Sequence, residues 1–238
     1  MVARETSLIE GLVAAGVDQD SAARAAPDLI RFADLLAEDG VRLGLLGPAE
    51  RERILARHII DSAALLPLVG PGPLVDVGSG AGLPGVVLAY LRDEGAILLE
   101  ASERRCAFLE QVASSDPSIV VVRGRAEEVG RDARWREKAA TVVARALAPP
   151  PVALELCAPL VAKRGRVVLA AGPSAIGSLE AASATAAELG LGTPVLRRLR
   201  VPGATGGGYA IVAVKEEETP QRYPRRTGVP ARRPLGGR

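Results

Sequence analysis

The chain has a single histidine, His58, two cysteines, Cys106 and Cys157, and only three lysines, Lys138, Lys163 and Lys215, in 238 residues. With one histidine, a Ser-His-Asp triad or a His-based metal site would have to be built around His58, and no metal is expected. The cysteines show no CxxC spacing and fall inside expected helices, so a disulfide framework and a zinc site are both excluded. They read as small buried apolar residues. The scarcity of lysine beside abundant arginine and alanine marks a GC-rich genome rather than a function. No apolar run approaches the roughly 20 residues that span a bilayer, and Met1-Val-Ala-Arg-Glu-Thr6 lacks an apolar leader core, so a cytoplasmic protein is expected. Net charge is +2, which excludes a global basic field, although the C-terminus is locally rich in arginine.

What is present is an organising stretch, Leu74-Val-Asp-Val-Gly-Ser-Gly-Ala-Gly-Leu-Pro-Gly-Val-Val-Leu88: a short apolar strand, a glycine-rich turn and the start of a helix. Gly78, Gly80 and Gly82 lack the side chains that would keep a ligand off the backbone, and the helix is expected to aim free N–H groups at that ligand. Asp76 is the expected hydrogen-bonding anchor of the turn. Dinucleotide and S-adenosylmethionine enzymes both use such a turn. Here the third position of the dinucleotide fingerprint, which wants glycine or alanine, is Leu83, and the spacing is Gly-x-Gly-x-Gly. That favours S-adenosylmethionine. Glu100, closing the apolar segment Ala96-Ile-Leu-Leu-Glu100, is placed to accept the hydroxyls of a ribose from either cofactor.

At 48% hydrophobic and 24% charged residues, the chain can bury the core of one large α/β domain with appendages. Ser7 to Ala15, Asp20 to Glu38 and, after Pro48, Ala49 to Leu66 read as amphipathic helices. They form an N-terminal helical cap, residues 1–69, closed by Gly70-Pro-Gly-Pro73. His58 and Asp61 lie one turn apart near the edge of the third helix. From Leu74 strands alternate with helices, which implies a mostly parallel sheet covered on both faces. Strands are expected at Leu74 to Val77, Ile97 to Glu100, Ile119 to Arg123, Thr141 to Ala144 and Arg166 to Leu169. The helices between them are Pro84 to Leu91, Ser102 to Ala113, a short one from Glu127, Pro151 to Val161 and Ala175 to Leu189. Two final strands, Pro194 to Val201 and Tyr209 to Lys215, are linked by Gly203-Ala-Thr-Gly-Gly-Gly208, the second inserting antiparallel to make seven. This domain, residues 70–218, presents Gly78 to Gly82, Glu100, Arg125 to Glu127 and Arg145 at its carboxyl strand ends, where such sheets bind ligands. Residues 219–238, rich in Pro, Gly and Arg, read as an extended or disordered tail, serving either solubility or as an electrostatic arm for RNA phosphates with Tyr223 free to stack.

The successive motifs Arg57-His-Ile-Ile-Asp-Ser62, Asp76-Val-Gly-Ser-Gly-Ala-Gly-Leu-Pro-Gly85, Leu98-Leu-Glu100 with Arg104-Arg-Cys-Ala-Phe-Leu109, Arg123-Gly-Arg-Ala-Glu-Glu128 and Ala144-Arg-Ala146 together resemble the bacterial ribosomal small-subunit methyltransferase family RsmG, also called GidB. The resemblance spans roughly Leu43 to Lys215, and Arg42 to Glu50 is similar to the actinobacterial branch. It implies a class I S-adenosylmethionine methyltransferase fold, Rossmann-like with a seven-stranded mostly parallel sheet, that methylates guanine N7 in the decoding-region loop of 16S ribosomal RNA. It implies cofactor contacts from Gly78, Leu83, Ala126, Glu127 and Arg145, beside Gly80, Gly82 and Glu100 from the turn and strand reading. Arg145 and His58 are the candidates for the substrate side, and the partner is 16S rRNA or the small subunit, met by a monomer.

Guanine N7 has an in-plane lone pair and no proton to lose, so in-line methyl transfer needs neither a general base nor a metal. A cytosine-C5 transferase would need a cysteine nucleophile near the substrate pocket, and neither mid-helix cysteine suits it. No Asp/Asn-Pro-Pro-Tyr/Phe follows the fourth strand, which disfavours exocyclic amines. Two positions depart from the family pattern: Thr141 stands where an acidic residue is usual, and Ala171-Gly172 where Lys-Gly is usual. They keep open a same-fold methyltransferase acting on another RNA or a small molecule. A catalytically silent RNA- or ribosome-binding protein is the alternative from another class, and a nicotinamide oxidoreductase is a distant third.

Overall fold

Seven segments of this chain, the central ones apolar and rich in β-branched residues, find their hydrogen-bond partners in one sheet. The computed structural model describes residues 2–202 and 208–236. The strands are β1 (Leu74–Val77), β2 (Ala96–Glu100), β3 (Ile119–Arg123), β4 (Ala139–Arg145), β5 (Val161–Ala171), β6 (Val195–Leu199) and β7 (Gly208–Val214), in the order β3-β2-β1-β4-β5-β7-β6. β1 to β5 are parallel, and β7 inserts antiparallel between β5 and β6. Both faces are covered, which is why β1 is buried along its whole length. The expected link between the last two strands lies, apart from Gly208, outside the described residues.

The helices are α1 (Val2–Ala14), α2 (Gln19–Leu35), α3 (Ile60–Ala63), α4 (Gly85–Arg92), α5 (Glu103–Ala113), α6 (Ala126–Val129), α7 (Pro150–Cys157), α8 (Leu179–Glu188) and α9 (Val229–Arg232). One apolar cluster joins Leu12, Leu29, Phe32 and Ile59 of the N-terminal segment to Leu88 of α4 and Leu98 of β2. The N-terminal helices are therefore part of the layer on that face of the sheet. The other face is filled by Leu154 and Cys157 of α7 and Ala182 and Ala186 of α8 against Val75, Val142 and Val167. Both cysteines are free and buried, and burial pushes the Cys157 thiol up, so neither serves as a nucleophile.

Two expected elements are corrected. The single helix expected from Ala49 to Leu66 is a 3-10 turn, Pro48–Arg53, a π turn, Ile54–Ile59, and then α3. The wide turn resets the helical register, so that His58, Ile59 and Ile60 are all buried in succession. Val161, expected to end a helix, starts β5 because it pairs with Ala139 across an irregularity in register.

The tail is not loose. Glu155 of α7, fully buried, accepts from the Arg225 backbone N–H at 2.9 Å and from its Nε at 2.8 Å. Tyr223 is buried, and its hydroxyl donates to Glu188 at 2.6 Å, so it is not available to stack on a base. Buried Lys215 donates to the Ala158 carbonyl at 2.7 Å and to the Thr219 hydroxyl, and pairs with Glu137 at 3.2 Å. Arg136 donates to the carbonyls of Gly130, Thr219 and Tyr223. Composition alone misses such docking, because the partners are carboxylates and carbonyls distant in sequence.

Candidate active site

The carboxyl end of β1 leads into the glycine turn, and its amides are largely committed within the protein. The N–H groups of Gly78 and Ser79 donate to the Leu99 carbonyl at 2.8 and 3.2 Å, and that of Gly80 to Glu100 at 3.0 Å. Those of Gly82 and Leu83 return to the Ser79 carbonyl, and that of Gly85 goes to Asp76 at 2.9 Å. The expected array of free helix-terminal N–H groups is thus absent from these positions. A pyrophosphate needs such groups; this turn offers a ligand shape and carboxylates.

The three glycines differ in what they do. A Cβ on Gly80 would meet nothing closer than the Gly78 carbonyl at 3.7 Å, so this backbone faces open space. A Cβ on Gly78 would strike Leu147 Cδ1 at 2.5 Å. Leu147 follows Ala146, whose φ of 53° turns the loop after β4 back over the turn. Gly82 has a packing role: its Cβ would meet Val86 at 2.7 Å and Phe32 at 3.1 Å, so its bareness lets the N-terminal layer close on α4.

Two acidic groups line this end of the sheet and a third stands at α6. Glu100 is buried, accepts from Ala101 and Ser102 as well as Gly80, and lies 3.7 Å from Arg105. Asp76 is fully buried; one oxygen anchors Gly85 and the other, Oδ1, has no partner. Burial pushes its carboxyl up to about 7, against the pull of the Gly85 and Ser79 hydrogen bonds. Ala126 and Glu127, at the start of α6, are half-buried, and Glu127 accepts from the Gly228 N–H of the docked tail at 2.9 Å. A cationic ligand suits this setting. S-adenosylmethionine carries an ammonium and a sulfonium and no phosphate, so the orphaned Asp76 oxygen, the open face of Gly80 and the Glu100 carboxylate fit it.

Arg145 closes β4 beside a cavity of about 450 Å³ that is also lined by Arg57, Asp61, Ala171, Leu199 and Tyr209. Its guanidinium is mostly buried and held: Nη2 donates to His58 Nδ1 at 2.6 Å, and Nη1 donates to the Ser62 hydroxyl at 3.2 Å. Because an arginine only donates, Nδ1 is the acceptor and Nε2 carries the proton, donated to Glu50 at 3.0 Å. Burial and then Arg145 hold the His58 imidazole below its ordinary value, with Glu50 opposing them. His58 is buried and absent from the cavity wall. Its two ring nitrogens join Arg145 on one side to Glu50 on the other.

Thr141 and Ala171, the two departures from the family pattern, fall in different places. Thr141 is buried at the opposite end of β4, where its hydroxyl accepts from the Gly70 N–H at 3.2 Å; it fastens the inter-layer connection. Ala171 and Gly172 line the cavity. Asp61 and Tyr209 line it too, and neither was assigned a role from sequence, although Arg57 and Asp61 lie four residues apart, the spacing that puts side chains on one helix face. Among the described residues no group of three or more His, Cys, Asp or Glu side chains is arranged to hold a metal ion, and no helix is long and apolar enough to cross a membrane.

The sheet order with an antiparallel seventh strand, the Gly-x-Gly-x-Gly turn and the acidic cradle together define a class I S-adenosylmethionine-dependent methyltransferase. Solved structures with TM-scores above one half share the fold at low identity. A chain of the Haloferax volcanii complex between the Trm112 methyltransferase activator and a methyltransferase gives a TM-score of 0.55 at 15% identity, covering 78% of this chain and 98% of that one. A Corynebacterium glutamicum protein gives 0.52 at 15% identity, covering 81% and 91%.

The family is settled by sequence. The model of the family GidB, rRNA small subunit methyltransferase G, matches residues 25–192. Ribosomal RNA small subunit methyltransferase G of Symbiobacterium thermophilum is 37% identical, covering 96% of each chain. The proteins of that name from Salinispora tropica, at 39% over 88% of each chain, and Salinispora arenicola, at 39% over 79% of this chain and 80% of its own, are similar in the same way. The chain belongs to the rRNA small subunit methyltransferase G family, and it is an S-adenosylmethionine-dependent rRNA methyltransferase.

Proposed function

We propose that the chain transfers the methyl group of S-adenosylmethionine to N7 of a guanine in the decoding-region loop of 16S rRNA. The observation that carries the reading is the meeting, at Arg145, of an acidic cradle suited to a cationic cofactor and a cavity with arginine, carboxylate and tyrosine on its wall. In this reading Gly78, Gly80 and Leu83 shape the cradle for the methionine moiety, Glu100 accepts the ribose hydroxyls, and Ala126 and Glu127 border the adenine. Gly82 supports them by packing. Arg145, on the cavity wall and within the field of Asp76, holds a carboxylate or an RNA phosphate with its planar fork.

When bound, the cofactor supplies an electrophilic methyl. The protein's own task is to align the base, exclude water and balance charge, because the N7 lone pair attacks without a proton transfer. The working unit is a monomer without a metal, acting on the small subunit in the cytoplasm.

The test is methylation of 30S subunits and of naked 16S rRNA from a strain lacking the corresponding gene, read by chemical cleavage at 7-methylguanine. Cleavage at one decoding-region guanine is expected. Methyl incorporation elsewhere, or into an exocyclic amine, would overturn the reading, and failure to bind S-adenosylmethionine at all would favour a silent RNA-binding protein.

A further inference from the structure

The Asp61 carboxylate is the one acidic group on the wall of the arginine-lined cavity, and among the described residues no hydrogen bond or ion pair within 4.0 Å reaches it. Its neighbours are engaged elsewhere. Arg145 is held by His58 and Ser62, and Arg57 lies 3.7 Å from Glu50. Both arginines favour the ionised form of Asp61, although burial, the larger effect, pushes the carboxyl up. A carboxylate that is half-buried on a cavity wall with no protein donor has both oxygens free to accept from a ligand that enters.

The chemistry of that ligand is restricted. A carboxylate repels phosphate, so Asp61 does not serve the RNA backbone. Ionised, it only accepts, through two parallel oxygens. Guanine alone among the four RNA bases presents two adjacent donors, N1–H and the N2 amine, on its Watson–Crick edge. N7 lies across the base from that edge, so a guanine gripped there keeps N7 free. Arg145 lies in the field of both Asp61 and Asp76, one carboxylate in the cavity and the other in the cofactor turn. Tyr209, one of only three tyrosines in the chain, shares the wall with Leu199 and Val201, giving the apolar and aromatic surface an unstacked base requires.

We propose that Asp61 reads the target base, its carboxylate accepting N1–H and N2–H of the guanine while Tyr209, Leu199 and Val201 form the walls around the ring. This assignment rests on the guanine-N7 reaction and makes Asp61 a specificity-determining residue for it.

The test uses 16S rRNA assembled by splinted ligation with guanine or inosine at the target position and reconstituted into small subunits. Inosine keeps N7, O6 and N1–H and lacks the N2 amine. With the wild type, inosine is expected to lower kcat/KM by about 10–100-fold, as loss of one hydrogen bond to a charged acceptor does. With Asp61→Ala the inosine penalty is expected to shrink below about threefold, because the partner of that amine is gone; Asp61→Asn, which keeps one acceptor oxygen, falls between. Calorimetric affinity for S-adenosylhomocysteine within about twofold of wild type confirms that each variant is folded with its cofactor cradle intact. Equal turnover of guanine and inosine by the wild type, or a penalty as large in Asp61→Ala and Asp61→Asn as in the wild type, overturns the role of Asp61 alone. Inactivity of the wild type on both substrates overturns the guanine-N7 reaction, and the base reading with it.

Discussion

Replacing Arg225 by methionine removes the guanidinium that faces Glu155, a carboxylate with no exposed surface on α7. Stranding a buried charge costs about 3–5 kcal/mol when its partner is deleted. Two features reduce that here: the Arg225 side chain is 24% exposed, and its backbone N–H still reaches Glu155 Oε1 at 2.9 Å in the variant. A loss of about 2–3 kcal/mol is expected, which for a chain of this size lowers Tm by about 5–10 °C. The double variant Glu155→Met, Arg225→Met replaces the pair by apolar groups of similar volume and is expected to recover to within about 1 kcal/mol of wild type. Urea unfolding followed by circular dichroism, with thermal melts alongside, measures both. An Arg225→Met variant within about 0.5 kcal/mol of wild type, or a double variant no more stable than the single, would refute the clamp and return the tail to the status of a loose arm.

Gly78→Asp places a side chain against Leu147 and adds a positive-φ penalty at 71°; calorimetry is expected to find S-adenosylhomocysteine binding abolished, and retained binding would remove Gly78 from the cradle. Asp76→Asn tests the carboxyl whose value rises from 3.8 unfolded to about 7 folded. A raised acid disfavours the ionised fold, so wild-type stability is expected to fall from about pH 4 to about pH 7 relative to Asp76→Asn, and a pH-independent difference between the two would contradict the buried charge. His58→Phe deletes the acceptor that orients Arg145 and the donor to Glu50, with kcat expected to drop about tenfold at unchanged cofactor affinity if Arg145 serves the RNA; a matching loss of cofactor binding would place Arg145 on the cofactor's carboxylate instead. Arg226, Arg232 and Arg233 are exposed on the docked tail; replacing all three by alanine is expected to reduce the slope of log affinity for rRNA against log salt by about 2, and an unchanged slope excludes this face from RNA contact.

The alternation of apolar strands with helices, the Gly-x-Gly-x-Gly turn, Glu100 at the end of β2 and Arg145 at the end of β4 were all legible in the amino-acid order. Each depends on local periodicity or on a motif whose residues are neighbours in the chain. The antiparallel seventh strand was legible as well, since a strand returning after β6 completes the sheet beside β5. What the order of residues could not provide was the use to which the backbone and the charges are put. The turn's N–H groups are consumed by Leu99, Ser79, Glu100 and Asp76, which depends on how β1 and β2 lie together. Gly82 looks like its neighbours in sequence and becomes a packing glycine only because Phe32 arrives from the N-terminal layer.

The same holds for the side chains around Arg145 and in the tail. A π turn, which no propensity in Ile54 to Ile59 announces, brings His58 inward and leaves Asp61 on the cavity wall. The tail's composition predicts disorder because it has few apolar residues, yet Glu155, Glu188, Glu137 and Glu127 reach it from four distant segments and fix it by hydrogen bonds. Sequence by itself thus determined the sheet, the cofactor turn and the family, which rest on short-range pattern. Tertiary structure decided which carboxylates are paired and which are left to meet a ligand, because pairing of charges is a property of distance in space, and burial sets how much each unpaired one costs.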